Sequence, residues 1–136
     1  MTSYLIDKSA WARTGQPSVR AVLEGLVETG RMVTCSITNL EILYSAGSST
    51  DYANLSDELT GLNEVPVESD QLARALEVQR ALAARGQHRF PIPDLIIAAA
   101  AESSGHTILH YDADYERIAG ITGQAHEWVA PRGSLP

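Results

Sequence analysis

The chain is poor in cysteine, lysine and phenylalanine, with one of each among 136 residues. A lone Cys35 can close no internal disulfide and anchor no cysteine-based zinc site, so a reducing compartment, the cytoplasm, is the expected setting. Long hydrophobic runs are missing too. The longest uncharged apolar stretch near the centre, Leu95 to Ala101, has seven residues, far short of the roughly 20 a membrane helix needs. The opening segment, Met1-Thr-Ser-Tyr-Leu-Ile-Asp7, carries no basic residue and meets a carboxylate at once, unlike a secretory signal. Positive charge is scarce: 10 bases stand against 17 acids, for a net charge of −7. Such a chain is badly suited to hold nucleic acid by bulk electrostatics, so any such role needs local arginine patches or metal ions. The same charge would suit a basic protein partner.

The composition that remains is that of a soluble globular domain, 44% hydrophobic and 20% charged. A chain of this length forms one domain, residues 1–136, and buries roughly 70% of the surface that its unfolded form exposes. No repeat or low-complexity segment interrupts it, and only Ala130 to Pro136, with two prolines and a glycine, reads as a loose tail.

Short apolar runs alternate with longer helical patterns. Strands are expected at Ser3–Ile6, Arg31–Cys35, Glu64–Val67, Thr107–His110 and His126–Val129, the third at an edge because Pro66 cannot donate to a ladder. Helices are expected at 18–28, 38–45, 51–62, 69–85, from Pro93 to Gly105, and at 112–121. For the longest helix, Leu72, Ala73, Leu76, Leu82 and Ala83 are the expected inner face. Strands separated by helices imply crossover connections, a parallel central sheet and a three-layer α/β/α architecture. In such sheets chemistry gathers outside the carboxyl ends of the strands.

Acids occupy those ends. Asp7 follows the first strand, Glu41 lies early in the helix after the second, Asp94 sits beside the helix-opening Pro93, and Asp112 and Asp114 follow Thr107–His110. Two carboxylates ~4 Å apart repel by about 4 kcal/mol at an effective dielectric near 20, so such a cluster either keeps protons or binds a cation. An all-oxygen donor set selects a hard cation, Mg²⁺ or Mn²⁺, and suits phosphoryl chemistry. Each acid also has a purely structural reading. Asp7 and Asp112 could cap helices, and Asp94 could complement a helix dipole. Thr38-Asn-Leu-Glu41 matches a capping box, which taken alone is the preferred reading of Glu41.

Four blocks occur in order: Leu5-Ile-Asp7-Lys-Ser9-Ala10, Thr38-Asn-Leu-Glu41-Ile-Leu43, Ile92-Pro-Asp94-Leu-Ile-Ile-Ala98-Ala and Tyr111-Asp112-Ala-Asp114-Tyr115. Together they resemble the signature blocks of PIN-domain ribonucleases, and most of all the VapC-type toxins of bacterial toxin–antitoxin pairs. The resemblance runs from Tyr4 to about Val129. It implies a PIN-like fold and metal-dependent hydrolysis of RNA phosphodiesters. Asp7, Glu41, Asp94 and Asp112 would be the site acids, with Asp7 and Asp94 the main Mg²⁺ ligands and Asp114 a variable fifth. Ser9 would be a supporting hydroxyl. It also implies a homodimer silenced by a VapB-type antitoxin. Lys8 stands where many relatives carry a small hydroxyl residue; its ammonium either faces away from the acids or meets substrate phosphate. Tyr115 stands where Phe is common.

RNA would need local grip. Residues 74–89 hold Arg74, Arg80, Arg85 and Arg89 against Glu77 alone, and His88 adds charge when protonated. Arg80, Arg85 and Arg89 are the candidate RNA contacts, with a solvated helix face an equal alternative. Arg13 and Arg20 are weaker candidates. Trp11, Tyr44 and Phe90 could stack bases but are expected to pack instead. His106 and His110 read as structural. A receiver-type signalling domain fails for want of a lysine after the last core strand, and a haloacid-dehalogenase-type phosphatase is a weak reading because position 9 is Ser where a second Asp is needed. The serious rival is a PIN-like domain that binds RNA or a protein without cutting.

Overall fold

The computed structural model describes residues 1–136. Its elements are β1 (Tyr4–Ile6), α1 (Lys8–Trp11), α2 (Pro17–Glu28), β2 (Met32–Thr34), α3 (Ser36–Tyr44), α4 (Ser49–Thr60), β3 (Asn63–Glu64), α5 (Ser69–Ala83), α6 (Ile92–Ser104), β4 (Thr107–His110), α7 (Asp114–Thr122) and β5 (His126–Trp128). All strand pairs are parallel, in the order β3-β2-β1-β4-β5. The chain builds outward from β1 to β3 on one side and returns to place β4 and β5 on the other. That reversal at β1 opens a crevice at the carboxyl ends of β1 and β4, where open α/β sheets carry their ligands.

The three layers follow from the pleat. Successive residues of a strand face opposite sides, so Leu5 joins one core and its neighbours Tyr4 and Ile6 the other. On the first face α5, α6 and α7 cover Leu5 and Ile108, with Ala98 to Ala101 of α6 buried among them. On the second, Ala10, Val19, Leu23 and Leu26 cover Tyr4, Ile6 and Leu109. Gly105 ends α6 in the left-handed region, φ 73°, where a side chain would be strained. No helix is long and apolar enough to cross a membrane.

Several expectations shift. The turn Lys8–Trp11 is helical because Asp7 caps it through the Ser9 amide. Helix α3 begins at Ser36, two residues before the expected start. The third strand is displaced to Asn63–Glu64 and does lie at an edge. The inner face of α5 is Ala75, Val78 and Leu82, not the predicted set; of that set only Leu82 is buried. Helix α5 carries two apolar stripes, and packing on α6 and α7 selects the one with small residues. Leu72 and Leu76 are left about half exposed, beside the exposed Ile92. Phe90 packs in the core, whereas Tyr44 is 91% exposed. Tyr44 shares an outward stripe of α3 with the exposed Leu40 one turn earlier. The segment 130–136 has no helix or strand, yet the Leu135 amide donates to the Tyr111 hydroxyl (2.8 Å).

Candidate active site at the carboxyl edge of the sheet

The Asp7 amide still donates to the Leu109 carbonyl (2.9 Å), so Asp7 leaves the sheet beside β4. Its side chain is 3% exposed, and both oxygens are in use. Oδ2 accepts the Ser9 amide (2.9 Å) and the Ser9 hydroxyl. Oδ1 accepts the Tyr115 hydroxyl (2.6 Å). The Ser9 oxygen also accepts the Tyr111 amide (2.8 Å), which ties the end of β1 to the loop after β4.

Helix α6 crosses back along the sheet, so its first turn returns to the same edge and carries Asp94 there. Asp94 is 7% exposed. Its Oδ1 lies 3.5 Å from the Tyr115 hydroxyl, while Oδ2 is buried with no hydrogen-bond partner. Burial first, then the charges of Asp7, Asp112, Asp114 and Glu41, push its carboxyl up to about 8. The bare protein therefore holds a proton on Asp94 at neutral pH.

Asp112 and Asp114 arrive on the loop after β4. Asp112 Oδ1 caps the Asp114 amide (2.9 Å), and Asp114 meets Arg117 at 3.4 Å. Burial, then the neighbouring Asp112, raises the Asp114 pKa. One oxygen each of Asp94, Asp112 and Asp114 can be chosen so that all lie within 4.8 Å of one another.

For Glu41 the capping-box reading fails. With Cys35 as the cap of α3, Thr38 lies inside the helix and donates its hydroxyl to the Ile6 carbonyl (3.0 Å). Glu41, one turn into α3, is half-buried; burial, then the Asp7 charge, lifts its pKa, against an opposing pull from Lys8. Lys8 is exposed and shares an open cleft with Glu41, Tyr44 and Pro93, so it stands at the rim of the acids.

The five predicted acids thus share one edge. Asp94, Asp112 and Asp114 form the tight group, Asp7 joins through Tyr115, and Glu41 faces them from α3. A hard divalent cation fits this donor set: it would give Asp94 Oδ2 the partner it lacks and offset charges that otherwise force a proton onto the site. The Tyr115 hydroxyl, which the sequence marks only by a Tyr where Phe is common, proves to be a donor to Asp7. His110, expected to be structural, is fully buried at the end of β4, and its Nδ1 accepts the Asp112 amide (3.0 Å). The readable signal was a polar residue closing an apolar strand two positions before an acid.

The candidate RNA contacts divide. Arg74 is held by Glu102 (2.8 Å) and Glu77 (3.1 Å). Arg80, Arg85 and Arg89 are exposed, and none forms an ion pair. Arg13 donates to the Ser9 carbonyl and lies over the Tyr111 ring, and Arg20 donates to the Thr14 carbonyl.

A model of the PIN domain matches residues 4–121. The chain is 47% identical over 135 residues to ribonuclease VapC18 of Mycobacterium tuberculosis, covering 97% of this chain and 98% of that one. It is 42% identical over 132 residues to ribonuclease VapC51 of the same organism, with 97% and 96% covered. In fold it is similar to a chain of the DNA-bound VapBC structure from Salmonella typhimurium, with a TM-score of 0.77 at 22% identity over 96% of this chain and 100% of that one. The cluster of acids at the β1/β4 reversal, the domain match and the near-full-length relatives agree: the chain belongs to the PIN-domain family, among the VapC ribonucleases.

Proposed function

We propose that the chain is a Mg²⁺-dependent endoribonuclease, able to use Mn²⁺, that acts in the cytoplasm as the toxin of a toxin–antitoxin pair. The observation that carries the reading is the buried, unpartnered Oδ2 of Asp94 inside the acid cluster. Asp7, Asp94, Asp112 and Asp114 are the residues that would hold the cation, with Ser9 and Tyr115 orienting Asp7. When bound, the cation supplies positive charge opposite a phosphate and acidifies water. Glu41, whose raised pKa brings it nearer the working pH of a general base, takes the proton of the attacking water. The water oxygen bonds to phosphorus, the bond from phosphorus to the 3′-oxygen breaks, and the 3′-oxygen takes a proton from solvent, so that the products are a 5′-phosphate and a 3′-hydroxyl. Arg80, Arg85 and Arg89 grip flanking phosphates.

A homodimer is the proposed assembly, supported by the exposed apolar strip of Leu72, Leu76 and Ile92. A VapB-type antitoxin is the proposed inhibitor. Support for a basic, amphipathic partner comes from the net charge of −7 and from a groove floored by Trp11, Leu23, Val27 and Met32 with Glu24, Glu28 and Glu58 around it.

The test is RNA cleavage by purified, partner-free protein with Mg²⁺, Mn²⁺ or EDTA, with Asp94→Asn beside the wild type. Cleavage should require the metal and vanish in the variant. Metal-independent cleavage by a folded Asp94→Asn protein would overturn the proposal. RNA binding without cleavage under every condition would favour a silent binding domain.

A further inference from the structure

The side chain of His110 is buried at the end of β4, has no part in the hydrolysis described above, and is tied down at both ring nitrogens. Its Nδ1 faces the backbone amide of Asp112 at 3.0 Å. Its Nε2 faces His126 Nδ1 at 2.9 Å. An amide can only donate, so Nδ1 must be the bare nitrogen and the proton must sit on Nε2. That proton then points at His126 Nδ1, which accepts it. A single tautomer satisfies both contacts.

The position matters because the ladder stops here. The last β4–β5 partners are His110 and Trp128, and the Val129 amide closes on the His110 carbonyl. Beyond this point the chain turns away to deliver Asp112 and Asp114, and its amides are no longer held by strand neighbours. Side chains hold them instead: Ser9 accepts from Tyr111, His110 from Asp112, and Asp112 from Asp114. The His110 ring also packs on Tyr115, 5.0 Å between centroids, and on Trp128 at 4.9 Å. Tyr115 is the donor to Asp7. One buried imidazole therefore supports the Asp112 backbone by a hydrogen bond and the Asp7 donor by contact.

We infer that His110 is a positioning residue of the acid site, which sets the Asp112 loop through its neutral Nε2–H tautomer, with His126 as the acceptor that fixes that tautomer. The inference rests on the metal-nuclease reading for its consequence, not for its geometry. Partners of metal-bearing groups, although they never touch the ion, commonly change its affinity 10- to 100-fold.

Two measurements test it. Nitrogen-15 NMR of the metal-free wild type reads the tautomer directly: Nδ1 of His110 should be unprotonated and Nε2 protonated. A protonated Nδ1 would overturn the inference, because it cannot accept the Asp112 amide. Mn²⁺ titration then compares His110→Phe, which keeps a ring but no acceptor, with His110→Asn, whose Oδ1 is attached at the same Cγ as Nδ1. His110→Phe should bind Mn²⁺ roughly 10- to 100-fold more weakly, and His110→Asn should recover most of that loss. Equal binding by wild type and His110→Phe would overturn it, as would His110→Asn binding no better than His110→Phe. If His110→Phe does not fold, the tautomer and the His110→Asn titration decide. A wild type that binds Mn²⁺ no better than Asp94→Asn would instead defeat the metal-nuclease reading, with the tautomer still standing.

Discussion

Asp7 and Asp94 are almost equally withdrawn from water, 3% and 7% exposed, yet the fold treats them in opposite ways. Three protein donors converge on Asp7, two from Ser9 and one from Tyr115. Asp94 has one long contact to the same phenol and a buried oxygen with no hydrogen-bond partner. A buried carboxylate is costly unless donors or a cation compensate it. The fold compensates Asp7 internally and leaves Asp94 to an ion or, failing that, a proton. In the proposed site both would hold the cation, but Asp7 is already oriented by protein donors, whereas Asp94 Oδ2 has no hydrogen-bond partner within the protein.

The sharpest way to break this comparison is to remove each charge in turn. Asp94→Asn should abolish metal-dependent cleavage and stabilise the metal-free protein. The sign follows from the raised pKa. The folded carboxyl keeps its proton up to about pH 8 while the unfolded one releases it near 3.8, so the metal-free fold loses stability as pH rises between those values. The loss is on the order of a few kcal/mol at the upper end. Unfolding followed against pH in EDTA should show this slope in the wild type and not in Asp94→Asn, and saturating Mg²⁺ should oppose it. His110, lowered from 6.5 to about 3, contributes the opposite slope below pH 6.5, so the wild type should show the Asp94 loss above pH 6.5 while Asp94→Asn shows the His110 slope alone below it.

Asp7→Asn should do the reverse to stability. Its amide nitrogen cannot accept from Ser9 or Tyr115, and a donor left facing a donor costs roughly 1–3 kcal/mol. Cleavage should also be lost, and Asp94 should titrate lower, since the Asp7 charge is among the causes that raise it. A stabilised Asp7→Asn protein would erase the distinction between the two acids. A smaller effect is expected from Tyr115→Phe, which deletes one donor to Asp7 and leaves the packed ring. Mn²⁺ affinity should fall about tenfold, and stability should fall by about 1 kcal/mol, measured by calorimetry. The smallest effects on the site belong to Arg85→Gln and Arg89→Gln. They should leave Mn²⁺ binding intact while each flattens the salt dependence of RNA binding by about 0.7 in log–log slope.

Much of this was legible in the residues. The alternation of short apolar runs with helical patterns predicts the parallel three-layer fold, and the acids at the ends of those runs mark the functional edge. Local pattern was a poorer guide where two readings were equally good locally. Thr38 and Glu41 have the spacing of a capping box, but α3 starts at Ser36 because the chain leaves β2 at Cys35. Glu41 is thereby released from capping to face Asp7. Helix α5 offers two apolar stripes, and the choice of Ala75, Val78 and Leu82 over Leu72 and Leu76 was made by the closely packed, alanine-rich α6 beneath it.

The sequence by itself determined the fold class and set five acids at the ends of its strand and helix patterns, an all-oxygen donor set of the kind that suits a hard cation, because periodicity and donor chemistry are properties of residue types. Only the tertiary structure decided what each acid does. Whether a carboxylate is filled by donors, as Asp7 is, or left bare, as Asp94 Oδ2 is, depends on where Ser9 and Tyr115 come to lie. Packing brings those groups together from both ends of the chain, and such long-range contacts between buried polar atoms leave no periodic trace in the sequence.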